Sequence, residues 1–140
     1  MLSRAFAQAT LAILIAAAVS TTALAREEYR AFAQRGVPTA INWHFRVDED
    51  CNYSLPSIEL TSVPPDVLVW TEVRDYTIAA EDFVYGTPTC IGATIPAVFV
   101  MAKVSRDYPG NIAEVFYDRV MGDGVSPWLV IIELPVESSS

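Results

Sequence analysis

Histidine occurs once in the 140 residues and cysteine twice, while basic side chains number 9 against 17 acidic ones. Each shortage excludes something. One imidazole and two thiols do not furnish the four-ligand set of an ordinary structural zinc site. Cys51 and Cys90 stand 39 positions apart, unlike the Cys-x-x-Cys pair of a thiol oxidoreductase. A net charge of −8 repels phosphate, which argues against nucleic acid and against polybasic docking on anionic lipid. No Gly-x-Ser-x-Gly elbow, phosphate-binding glycine loop or His-Glu-x-x-His occurs. The length suits one domain.

What is plentiful is apolar surface, 52% of residues, and it is unevenly placed. The first 25 residues read as a secretory signal peptide, with Arg4 as the charged end and an apolar run over 5–19. Ser20, Thr21 and Thr22 precede Ala23-Leu24-Ala25, which sets small residues at −3 and −1 of a cut before Arg26. The run of about fifteen residues is short for a spanning helix, which needs ~20. The expected mature chain holds 8 bases against 17 acids, a net of −9. It is expected in a periplasm or outside the cell, without stable membrane insertion after cleavage. In an oxidising compartment an even pair of cysteines predicts one disulfide, Cys51 to Cys90.

Along the rest, residues 26–39 form an N-terminal arm or a short helix, with Tyr29, Phe32 and Ala33 at helical spacing and Gly36 as a stop. From Ile41 the period becomes two. Ile41, Trp43, Phe45 and Val47 alternate with Asn42, His44 and Arg46, predicting a strand with the second set on its solvent face. Further strands are predicted at 58–63, 67–73, 76–78, 83–85, 97–104, 114–120 and 128–134, punctuated by Pro64-Pro65-Asp66, Gly86-Thr87-Pro88 and Gly122-Asp123-Gly124. The pattern predicts an all-β, antiparallel two-sheet sandwich of about seven strands over 40–137, with a small barrel as the alternative.

The strand count and the order Cys51, Trp70, Cys90 resemble exported immunoglobulin-like domains over about residues 41–136. Pro88 stands where such domains carry a tyrosine two residues before the second cysteine. The resemblance implies an immunoglobulin-like fold and transfers no catalytic residue.

No catalytic, cofactor-binding or metal-binding residue is predicted. His44, the one imidazole, is expected on a strand surface with no orienting carboxylate assignable from sequence. Asp48-Glu49-Asp50 invites calcium, but three adjacent carboxylates do not fill its six to eight positions, so a solvated acidic loop is expected. Trp43 and Trp128 are expected in the core. Trp70, sharing a face with Leu68 and Glu72, reads either as a contact between sheets or, with Glu72, as an anchor for a protein partner. The functional expectation is a non-catalytic exported module that binds or packs against an unidentified protein. The alternative is an acidic exported inhibitor of a basic enzyme such as lysozyme, steered by charge. A small exported hydrolase is the third reading.

Overall fold

The period-two segments do become strands, and several run longer than their patterns mark. The computed structural model describes residues 26–82, 88–122 and 124–136. The signal peptide predicted over residues 1–25 and the strand predicted at 83–85 lie outside them. Within them are β1 (Glu27–Phe32), β2 (Thr39–His44), β3 (Arg46–Val47), β4 (Tyr53–Ser54), β5 (Ser57–Ser62), β6 (Val67–Thr77), β7 (Thr94–Val104), β8 (Ile112–Met121) and β9 (Gly124–Glu133). Two single-turn 3-10 segments, Ala80–Asp82 and Pro88–Cys90, are the helical pieces among the described residues. The segments expected separately at 67–73 and 76–78 are one strand, β6, because all eleven of its residues pair with β7 in unbroken register.

One sheet has the order β1-β9-β8-β5 and the other β2-β7-β6, with β3 and β4 forming a small hairpin. The sheets face each other across a core built from alternate residues. β7 contributes Val100, Ala102 and Val104, β8 contributes Ala113, Val115 and Tyr117, and β9 contributes Val130 and Ile132, with Leu134 just beyond its end. The chain changes sheet at the turn around Gly36, between β2 and β5 through the β3–β4 hairpin, at Pro64-Pro65-Asp66 and between β7 and β8. Gly36 has φ +79°, and a Cβ there would meet Arg106 Nε at 2.8 Å, so the first crossing requires glycine. The molecule is thus all-β and sandwich-like, with antiparallel pairing throughout except at β1.

The N-terminal segment corrects the sequence reading. Residues 27–32 are neither a helix nor a loose arm but a strand lying parallel to β9, with Glu27 opposite Trp128 and Phe32 opposite Glu133. Helical spacing of Tyr29, Phe32 and Ala33 would bury Phe32, yet Phe32 is 77% exposed while Ala31 and Ala33 are buried. The operative period is two: Tyr29, Ala31 and Ala33 pack on the core.

The disulfide joins Cys51 to Cys90 with Cα atoms 5.5 Å apart. It ties the β3–β4 turn, where Cys51 adopts a left-handed φ of 63°, to the segment entering β7. Around it lies a second small core of Ile78, Cys90 and Ile95, with Phe45, Val47 and Tyr76 against it.

Candidate functional site

The one histidine faces the core. β2 is irregular between Ala40 and Asn42, where Ala40 opposes Met101 but Asn42 opposes Val100. The extra residue, Ile41, breaks strict alternation. Ile41 is therefore buried, and the following parity turns Asn42 and His44 inward, where they are 5% and 4% exposed. This overturns the expectation of a surface histidine. It also sends Trp43, expected in the core, to the outer face, where it stacks on Phe99. Trp128 does reach the interior, half-buried, with its ring 4.8 Å from that of His44.

Inside, Asn42 Nδ2 donates to Tyr117 Oη at 2.8 Å, and Tyr117 Oη lies 2.6 Å from His44 Nε2. Since the phenol oxygen already accepts from Asn42, its own O–H donates to Nε2, and the neutral imidazole carries its proton on Nδ1. Two effects hold the ring neutral: burial and, secondarily, the nearby Arg119 cation bring its pKa down to about 3. Burial likewise raises the pKa of Tyr117. Arg119 follows Tyr117 by two residues on β8, so it continues the core-facing side of that strand. Its Nε and the Trp128 Nε1 are buried donors without a hydrogen-bond partner among the described residues.

This relay spends the acceptor of His44 on structure. Replacing Tyr117 with Phe removes one oxygen and orphans two buried groups, Asn42 Nδ2 and His44 Nε2. Tyr117→Phe should destabilise the domain by about 2–4 kcal/mol. Urea unfolding checks this, and a loss below about 0.5 kcal/mol would show that the relay is energetically idle.

The outward face of the β2-β7-β6 sheet is chemically different. Trp70 and Glu72, predicted from sequence as a pair, do lie together there. The Trp70 indole N–H donates to Glu72 Oε1 at 2.9 Å, and Arg74 Nε donates to Glu72 Oε2 at 2.7 Å. The indole donor first, then Arg74, holds the Glu72 carboxyl below the usual carboxylate range. Trp70 opposes Met101 and Glu72 opposes Phe99 on β7, so Trp70 belongs to the outer face and makes no contact between sheets. The Arg74 guanidinium lies 5.9 Å from the centre of the Phe99 ring. Phe99 also contacts Trp43 and Tyr76, and Tyr29 of β1 meets Trp43 edge-on at 6.0 Å. Tyr76 donates to Asp82 at 2.7 Å. Burial and that carboxylate push the Tyr76 pKa up to about 12.

The aromatic patch was only half legible. Trp70 and Glu72 share a strand and show their spacing directly, whereas Phe99 and Trp43 join them only through cross-strand register. At the β6 start the face continues past Leu68, 67% exposed. There it meets a groove of about 660 Å3 lined by Gly36, Asp66, Leu68, Lys103 and Arg106.

In the acidic loop Asp48 closes a turn. Its Oδ1 accepts from the backbone N–H of Asp50 and of Asn52, and these bonds lower its pKa. Among the described residues no group of three or more His, Cys, Asp or Glu side chains converges as a metal set. Compared with protein-family models, with curated proteins and with solved structures, the chain matches none.

Proposed function

We propose that this protein is an exported, non-catalytic, immunoglobulin-like module that acts by binding another protein through the outer face of the β2-β7-β6 sheet. The observation that carries the reading is the pre-ordered patch of Trp70, Glu72, Arg74, Phe99 and Trp43. Tryptophan, tyrosine and arginine dominate binding energy where they sit on a rigid scaffold beside satisfied polar groups. Here the Trp70 side chain is already held by Glu72, so little rotamer freedom remains to be lost on contact. Leu68 adds an exposed apolar side chain on the same face. The buried His44 relay supports the non-catalytic part, because its acceptor nitrogen is already occupied by Tyr117.

A photo-crosslinking residue at Leu68 should trap a second protein species in the native compartment. The same residue at Glu114, exposed on the other sheet, should not. Trp70→Ala should reduce the Leu68 adduct by roughly tenfold, the loss expected for one anchoring side chain worth ~1.4 kcal/mol or more. Equal trapping from both positions, or trapping indifferent to Trp70, would remove this face from the function.

A further inference from the structure

The two large sheets have four edges, and they are unequally protected. Natural edges are blunted by bulges, shortness or cover, since an open row of N–H and C=O groups invites another strand. β2 carries the irregularity at Ala40/Asn42, and β5 carries one at Leu60/Ser62. β1 is six residues long and its Tyr29 reaches over to Trp43 on β2. β6 has neither device: eleven residues, no bulge, and β7 as its single neighbour among the described strands. Val73 lies on the same side of β6 as the core residues Val67 and Val69, yet it is 61% exposed. Among the described residues the facing sheet ends in β5, a strand of six residues against the eleven of β6.

We propose that β6 pairs antiparallel with β6 of a second copy of this chain, about a twofold axis at Val73, joining two three-stranded sheets into one of six strands. The side chains specify the occupant and the register. An axis normal to the sheet at Val73 sets Glu72 opposite the partner's Arg74, and Arg74 opposite the partner's Glu72. Trp70 then lies opposite the partner's Tyr76, Thr71 opposite the partner's Asp75, and the two Val73 side chains cover each other. Opposite charges and aromatic pairs directly across an antiparallel ladder are stabilising, and like charges are destabilising. Moving the axis to Glu72, Arg74 or Asp75 sets two like charges face to face. At Thr71 it sets Arg74 against Leu68 and matches no charges. Even residues meet even residues in the chosen register, so the outer faces of both copies stay on one side. Each Trp70–Glu72 patch gains Tyr76 and Arg74 from the partner, and the binding face becomes continuous across the axis.

This inference stands apart from the proposed partner binding, because it is read on the purified protein alone. Sedimentation should give twice the mass of one chain. Val73→Cys should yield a disulfide-linked dimer on mild oxidation, while Thr71→Cys, opposite Asp75, should not. Glu72→Arg should weaken dimerisation by roughly tenfold or more, since it turns two attractive pairs repulsive. The double variant Glu72→Arg/Arg74→Glu should restore it, which a merely structural role for these residues would not predict. A monomer at every concentration, or cross-linking of Val73→Cys no better than Thr71→Cys, would overturn the proposal. So would a double variant that stays as dissociated as the single one. Dimerisation without a trapped second protein would sink the proposed function and leave this inference standing.

Discussion

Lowering the pH from 6.5 to 4.5 should remove about 2–3 kcal/mol of stability through His44 alone. In the unfolded chain the imidazole takes up its proton near pH 6.5. In the folded protein it stays neutral down to about pH 3, because it is buried and stands near the Arg119 cation. Between those values the unfolded state binds one proton more than the folded state, so stability rises with pH at about 1.4 kcal/mol per unit. The contribution is complete above pH 6.5 and is lost as the pH falls toward 3. Asp48 and Glu72 act in the same direction, but in a lower window. Their folded pKa values lie below the usual carboxylate range, so what they add is lost mainly below about pH 4.5. Urea unfolding of the protein and of His44→Gln at half-unit steps separates the two windows. The variant should be flatter between pH 6 and 4.5 by the slope of one proton, whatever its absolute stability. Parallel slopes would mean that His44 is protonated in the folded protein, and the Tyr117-to-His44 donation would have to run the other way.

Cys51→Ala combined with Cys90→Ala should cost about 4 kcal/mol, the chain-entropy figure for a loop of this length. The bridge closes a sequence separation of 39 that takes in β4 and all of β5 and β6. Against a typical domain stability of ~5–15 kcal/mol that is a large share. The loss should also be local in character. Cys90 is fully buried among Ile78, Ile95 and the aromatic rings of Phe45 and Tyr76, a small core detached from the main one. Hydrogen exchange in the double variant should therefore rise first at Ile78 and Ile95 and last at Val115 and Val130. A cost under about 1 kcal/mol would show that the second core holds by packing alone. Uniform acceleration would mean that both cores unfold as one unit.

The strands were legible where period two ran unbroken through β-branched residues, as at Val98, Val100 and Val104, and at Val130 and Ile132. The disulfide was legible because two cysteines allow one pairing. The outward pair Trp70 and Glu72 was legible because both sit on one strand two residues apart. The interior site was not. Reading Asn42, His44 and Arg46 as one solvent face assumed continuous alternation, and the irregularity at Ile41 breaks it. One further signal was present in the sequence: Arg119 continues the parity of Val115 and Tyr117, so a cation stands in line with core residues.

The sequence by itself determined the all-β class, the break at Pro64-Pro65-Asp66, and the covalent link between Cys51 and Cys90. These depend on local backbone preference or on simple pairing, which neighbouring residues express. Only the tertiary structure decided that residues 27–32 form a parallel strand, that His44 lies inside, and that β6 is a long strand at the edge of its sheet among the described strands. Each depends on what the other sheet presents. Tyr117 supplies the hydroxyl that lets Asn42 and His44 be buried, and it lies more than seventy positions along the chain. β9 supplies the edge along which 27–32 extends, and Val73 stays exposed on β6. A strand's period shows that it has two faces. Which face is buried is settled by the partner across the core.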